Sequence, residues 1–441
     1  MRIGDVAAAA LGCAALLIVG CEEPSGRSQV EATTVGEPVT RIDAGEGAAR
    51  RIQEALIKAS PGDVIELGAG RFDCRATLSL DVSGVIVRGQ GPDRTILAFK
   101  DQGAGTGGEG LLVTSKENVV IENLAVEDAK GDAIKVQGTR RIIFRNVRAE
   151  WTGGPKETNG SYGLYPVLST DVVIERCTAV GASDAGIYVG QSENIVIRNC
   201  TARQNVAGIE VENSTRADVF DNLATDNAGG ILVFSLPDLP KKDGRHCRVF
   251  RNRVLANNHE NFAPKGNTVA TVPPGTGVMI MANDQVEVFD NAIERNQTSG
   301  LSIVSYMITD KPIQDAQYDP FCEAVYVHDN RFAANGDRPA GPMGELLATA
   351  LGTPLPDILY DGVADLKKQV DGKLPDALAI RIRNNGKAGF ANFDAPALKA
   401  SAAASGADGK GKPPAPKIVR DLKAYDGELP ALKPVAIEGL Q

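Results

Sequence analysis

Gly186-Ile187-Tyr188-Val189, then Ile195-Val196-Ile197 and Asn199, are followed by Gly208-Ile209-Glu210-Val211, then Asp218-Val219-Phe220 and Asn222. A Gly-apolar-x-apolar strand, a second apolar run and an asparagine have been written twice. The pattern continues in both directions, with anchors at Asn123, Asn146, Arg176, Asn199, Asn222, Asn252 and Asn291 and weaker echoes at Asn330 and Asn384. The spacings run 23, 30, 23, 23, 30 and 39. Each is a base period of 23 residues, or that period plus 7 or 16, as whole coils with loops inserted between their strands require.

Each coil offers two clear strands and a shorter third. The first series includes Ala133-Ile134-Lys135-Val136, Gly230-Ile231-Leu232-Val233 and Gly277-Val278-Met279-Ile280; the second includes Val119-Val120-Ile121 and Val172-Val173-Ile174; the third includes Thr178-Ala179-Val180. Period-2 alternation turns the flanking apolar residues inward and the middle one outward. Three short strands per turn of this length predict an all-β parallel β-helix solenoid over residues 39–395. Open solenoid ends need covers. Residues 50–59, with Ile52, Ala55, Leu56 and Ala59 on one face, predict a capping helix at the start. Residues 344–350 and 359–370 predict short C-terminal helices, and residues 379–382 a last strand. Residues 396–441 read as a low-complexity linker and tail, with 400–416 disordered and the part from Lys417 frayed, a docking segment being the alternative.

The net charge of −9 and a pI near 5.1 exclude nucleic acid as partner, because phosphate binding needs clustered Lys and Arg. Arg2 precedes an apolar run from Val6 to Val19, too short to span a bilayer but suited to a signal-peptide core. Its end, Ile18-Val19-Gly20-Cys21, resembles a bacterial lipobox. That resemblance implies a lipoprotein signal over residues 1–20, lipidation of Cys21, a tether over residues 21–38 and a membrane partner reached through the lipid. Glu22 follows the cysteine with no aspartate to hold the protein at the inner membrane. The implied address is the bacterial cell envelope, at the outer membrane. Cys177 and Cys200, 23 residues apart, read as a stacked pair of small buried side chains, placed where other coils carry Leu124, Val147 and Leu223. No Cys-x-x-Cys or His-x-x-His pattern supports a zinc site.

The opening over residues 52–67, a helix, Pro61-Gly62-Asp63 and a strand, resembles the pectate-lyase-like right-handed β-helix superfamily. Residues 181–192 and 205–214, continued through 229–234, 261–264 and 352–357, resemble a family of exported bacterial β-helix-repeat proteins over most of the mature chain. The resemblance implies a right-handed helix, export, and a neighbouring exported cytochrome-like protein as a partner. It implies no established activity.

Chemistry is expected on the outward positions of the first strand, which read Lys135, Tyr165, Tyr188, Glu210 and Leu232. Tyrosines between a lysine and a glutamate suit a sugar platform, since aromatic faces cover apolar sugar surfaces and hydroxyls hydrogen-bond. Insertions at 152–161, 236–245, 257–276 and 304–320 flank this strand and are expected to wall a groove over it. Substrate contacts are expected from Tyr165, Tyr188, Asp184, Glu212 and Trp151, the last either on the rim or in the core. If the protein is an enzyme, a polysaccharide lyase or glycoside hydrolase would use Lys135, Tyr165 and Glu210. No cofactor is evident; calcium would find carboxylates at Asp128, Asp132 or Asp184. Residues 162–168 superficially resemble the motif of mannuronan C5-epimerases, but Tyr165 replaces its aspartate and Val167 its histidine. That disfavours epimerisation.

Overall fold

The computed structural model describes residues 39–405 and 415–439; Cys21, the leader and the tether lie outside the described residues. Three rows of parallel strands wind around one core. Among the described residues the first sheet has eleven strands, from Leu78–Leu80 through Ala185–Gly190 and Ala207–Glu212 to Phe390–Asn392. The second and third strands of each coil form two further rows. These merge where Glu117–Glu127 and Arg140–Glu150 run through both. In the second row Ile142, Val172, Ile195, Ala217, Cys247 and Val286 stack coil upon coil, all buried. The expected alternation is what buries them: every second side chain of a strand faces the core.

The corner between the second and third rows corrects the reading of the repeat. Asn123, Asn146, Arg176, Asn199, Asp221, Arg251, Asp290, Asp329 and Asn384 all have φ between 52° and 57°, a left-handed turn that Asn and Asp tolerate best among residues with a Cβ. Asn222, Asn252, Asn291 and Asn330, read from sequence as the same position, sit one residue later and inside. There they form a ladder. Asn222 Nδ2 donates to Asn252 Oδ1 at 3.0 Å, Asn252 to Asn291 at 3.0 Å, Asn291 to Asn330 at 2.9 Å and Asn330 to Asn385 at 3.0 Å. The coil joining Cys200 to Asn222 therefore has 22 residues, with Cys200 N donating to Asn222 Oδ1. Leu223 instead pairs with Thr201. Below the ladder, Cys177 and Cys200 stack as free thiols.

A second ladder was not anticipated. Asn205, Asn227, Asn257, Asn296 and Asn335 are linked side chain to side chain and end on Asp357. Its signal was available, because Asn227, Asn257, Asn296 and Asn335 each follow a first-ladder asparagine by five residues.

Helix α1 (Ala48–Lys58) buries Ile52 and Leu56 over the first coil. Its Gln53 exchanges two hydrogen bonds with the backbone of Ser79, at 3.0 and 2.8 Å, covering the first sheet's edge strand. At the other end α2 (Gly341–Leu351) and α3 (Ala395–Ser405) pack Leu347, Leu351 and Leu398 around Leu359 and Phe393. The helix expected over 359–370 does not form. Leu359 belongs to the strand Ile358–Tyr360, and irregular chain follows, consistent with the first sheet's need for another strand there. Residues 400–405, expected to be disordered, complete α3, while 406–414 lie outside the described residues.

Residues 415–439 do not fray. Val419 pairs with Asn392, the amide of Ile382 donates to Tyr425 O, and the amides of Leu432 and Val435 donate to Glu287 at 3.0 Å and Asp218 at 3.1 Å. The tail thus runs back along the second row, using carboxylates as anchors for backbone N–H groups that no strand partner satisfies.

Replacing Asn252 with alanine removes one rung and strands the buried amide groups of its neighbours. Urea unfolding should register a loss of roughly 1–3 kcal/mol, against roughly a few tenths for alanine at exposed Glu157.

Candidate functional site

The outward stack of the first sheet forms as expected from sequence. Lys135 pairs with Tyr165, Tyr188 with Glu210, Glu210 with Leu232, Leu232 with Met279, Met279 with Ser302 and Ser302 with Leu359. Leu164 opposite Ile187 places Tyr165 beside Tyr188. Its surroundings differ from an open groove. Lys135 and Tyr165 are half-buried, but Tyr188, Glu210 and Leu232 are 4%, 1% and 0% exposed.

The insertions are the reason. Residues 257–276 bring Phe262, Val269 and Val272, and residues 304–320 bring Tyr306 and Tyr318, into one apolar cluster with Tyr188 and Leu232. Tyr318 donates its hydroxyl to Ser235 O, Lys242 pairs with Asp315, and Asn213 Nδ2 donates to the carbonyls of Leu236 and Lys241. The loops brace one another over the middle of the sheet instead of standing apart as walls.

Beside this cover three tyrosines meet. Tyr162, which sequence reasoning did not single out, lies with its ring centroid 4.3 Å from Tyr165 and 4.6 Å from Tyr188, and Tyr165 lies 5.0 Å from Tyr188. Tyr188 donates to Glu212 Oε1 at 2.6 Å. Gly190 permits this bond, since a Cβ there would fall 2.1 Å from the Tyr188 hydroxyl. Asp184 accepts from Asn267 Nδ2 at 3.0 Å; Asn267 lies in an aperiodic insertion and left no signal in the sequence. Lys135 Nζ stands 3.9 Å from Glu109 and 5.4 Å from the centre of the Tyr165 ring.

Four carboxyl groups share this region, and burial raises all of them. Asp184 is pushed up to about 7 by burial and by Glu212. Glu212 is pushed up to about 7 by burial, partly offset by the Tyr188 hydrogen bond. Glu210 is raised well above the carboxylate range by burial, then by the charges of Asp184 and Glu212, and its Oε2 has no hydrogen-bond partner among the described residues. Asp132, half-buried, is pushed up to about 6 by burial, with Lys135 pulling the other way. Carboxyls raised in this way keep their protons to higher pH than exposed ones, and where protonated they act as donors as well as acceptors.

Trp151 does not join them. It is buried in the main core and donates its indole N–H to Ala129 O at 2.7 Å. Asp128 accepts from the amide and hydroxyl of Thr152 and shapes a turn. Among the described residues, three acids whose ligand atoms all lie within 4.8 Å are Asp284, Asp319 and Glu323. Lys368 already bridges two of them, at 2.7 Å from Asp319 and 2.8 Å from Glu323.

The family model described as right handed beta helix region matches residues 84–238. The chain is a right-handed parallel β-helix. Over 212 residues it is 26% identical to the uncharacterized protein YclG of Bacillus subtilis strain 168, covering 45% of this chain and 32% of that one. It is 21% identical over 225 residues to the pre-neck appendage protein of Bacillus phage B103, covering 42% and 26%. The chain thus spans about a third or less of the length of these curated relatives. Among solved structures it is similar to the A-module of mannuronan C-5 epimerase AlgE4 of Azotobacter vinelandii, with 14% identity, a TM-score of 0.48, and coverage of 78% of this chain and 91% of that one.

The acids of this β-helix set a pH dependence. A carboxyl raised on folding binds its proton more tightly in the folded chain than in the unfolded one, so its stabilising contribution is full below the ordinary range near 4. It is lost as pH climbs through about 7. The urea midpoint of Glu210→Gln, which cannot ionise, should exceed that of the wild type increasingly from pH 5 to pH 8. The gap should widen by roughly 1.4 kcal/mol for each pH step of one over which the folded wild type keeps a proton on Glu210 that the unfolded chain has lost. Parallel curves would show that folding does not raise the proton affinity of Glu210.

Proposed function

We propose that this protein is a membrane-anchored β-helix, held through Cys21 in the bacterial envelope, that binds a carbohydrate at the tyrosine and carboxylic-acid cluster of its first sheet. The observation that carries the reading is the convergence of Tyr162, Tyr165 and Tyr188 on carboxyl groups whose proton affinity is raised. Tyrosine rings cover the apolar faces of a sugar. Carboxyls that hold protons can donate to some hydroxyl oxygens and accept from others without placing a bare charge against the ligand. Asp132, Lys135, Tyr162 and Tyr165 are half-buried and form the approach; Tyr188 and Glu212 form the floor.

A processing enzyme is the second reading, favoured by Glu210 alone. A carboxyl that keeps its proton near neutral pH is suited to general acid catalysis. As a hydrolase, the site would pair Glu210 with Asp184 or Glu212; as a lyase, it would use Tyr165 or Lys135 as base.

An array of acidic and neutral polysaccharides, scored for binding and for unsaturated-product absorbance, tests both readings. Tyr165→Ala should weaken binding about tenfold, near 1.4 kcal/mol, and Tyr188→Phe, which keeps the ring and loses the Glu212 bond, should weaken it less. Product formation abolished by Glu210→Gln would promote binding to catalysis. Silence across the array from folded wild-type protein would sink the carbohydrate reading and favour a scaffold that docks an exported partner, the cytochrome-like protein being the one to try.

A further inference from the structure

Beyond the acids, the same outward stack continues through Met279, Ser302 and Leu359, and there the cover stands away from the sheet. A cavity of about 550 Å³ lies over these residues. Residues 270–274 form one wall, the 3-10 turn Tyr306–Thr309 another, and α2 a third through Met343 and Leu347. The walls are tied in place by two lysines outside the lining. Lys311 Nζ donates to Gly266 O and Thr268 Oγ1, and Lys399 Nζ donates to the carbonyls of Met307 and Ile308.

Protein interiors seldom leave voids larger than a water molecule. This one falls within the range of ligand pockets, roughly 300–1,000 Å³, and well above the roughly 150 Å³ of an apolar cavity that stays dry and takes up benzene. Among the described residues, none lining it carries a charge. Three of the chain's five methionines, Met279, Met281 and Met343, contribute to it, and methionine adapts its shape to irregular apolar partners.

The polar groups narrow the ligand further. Thr276 and Thr298 already donate their hydroxyls to the carbonyls of Pro273 and Pro274. Ser299 Oγ and Ser302 Oγ are 3.0 Å apart, and either can be the donor. One hydroxyl hydrogen joins that pair, so the other is left to point at a ligand. The geometry points to a binding site for an uncharged, largely apolar small molecule bearing one hydrogen-bond acceptor, its body among the methionines and its acceptor on the Ser299–Ser302 pair. A carboxylate or ammonium ligand would enter without a partner for its charge.

This inference rests on the cavity alone and stands or falls separately from the carbohydrate reading. The test uses the purified protein and the fluorescence of N-phenyl-1-naphthylamine, an uncharged apolar probe. The probe should brighten on saturable one-to-one binding, 2-nonanone should displace it, nonane should do so several-fold less well, and nonanoate at least tenfold less well than the ketone. Ser302→Phe, which fills the space, should abolish binding. The double change Ser299→Ala with Ser302→Ala should keep nonane binding and erase the preference for the ketone. Failure of the folded wild type to bind the probe overturns the proposal, as does displacement by nonanoate at ketone-like concentrations. Binding that survives Ser302→Phe at an unchanged melting temperature also overturns it. If Ser302→Phe does not fold, the wild-type ligand series and the double alanine variant still decide.

Discussion

Coil-on-coil register is the constraint from which the rest of this molecule follows. Each strand pairs only with its equivalents one turn before and after, about 4.8 Å away, so every turn must bring the chain back to the same corner. Backbone pairing alone does not fix that corner, because the chain changes direction there. The two asparagine ladders do, since each amide bonds both the next rung and a backbone group of a neighbouring coil, as Asn252 does with Asn291 and Val219. With the two corners that flank the third strand locked, length variation must go elsewhere. Ladder bonds span 22, 30, 39 and 55 residues, and the surplus falls on either side of the first-sheet strand. The insertions therefore gather over one face, which is where loops of differing chemistry can accumulate on a rigid support.

That division explains what the sequence disclosed. Fold, strand order and the outward stack from Lys135 to Leu232 were legible because period-2 alternation and a near-constant coil length write them directly. The anchors slipped by one residue after Asn199 because asparagine occurs for two different reasons at adjacent positions: Asn199 tolerates a left-handed turn, whereas Asn222 fills a buried ladder. Residue type alone does not separate those demands. The covering of Tyr188 and Glu210 was not legible, since residues 257–276 have no period and their packing depends on distant partners such as Lys311. The docked tail was hidden for a similar reason. Its anchors on the second row are backbone amides on Asp218 and Glu287, to which the identity of the tail residue contributes little, and its side-chain contacts, such as Tyr425 with Phe390 and Asn392, follow no period.

The electrostatics of the two outward faces are opposite in design. On the second row Arg88, Glu122, Arg145, Glu175 and Arg198 alternate in sign, with contacts of 2.6, 3.3, 2.6 and 2.7 Å. Burial would raise Glu175, yet the hydrogen bonds from Arg145 and Arg198 hold it below the usual range. On the first sheet the equivalent stacking sets Glu210 among Asp184 and Glu212, and Glu210 is raised by burial and by both of those charges. A solenoid that can build an alternating ladder on one face has the means to neutralise the other. Clustered acids without a cation oppose folding at neutral pH, and unfavourable groupings of this kind concentrate at functional sites.

The same contrast separates stability from function within one coil. Between Cys200 and Asn222 the second strand buries Ala217 and Val219 and sets Asp218 on Arg248 and on the tail, so each outward and inward position is satisfied. The first strand of that coil buries Ile209 and Val211 equally well but turns Glu210 into a space where one of its oxygens has no partner among the described residues. The inward halves of the two strands are interchangeable in physical terms; the outward halves are not. A position can be assigned to the scaffold when its neighbours one coil up and one coil down complete its bonding. By that criterion the asparagine ladders and the alternating Arg88–Arg198 ladder of the second row are scaffold. Glu210, incompletely bonded by its neighbours, falls outside it, and so does the Ser299–Ser302 pair, which retains a donor. Both lie on the single face that the ladder leaves free to vary.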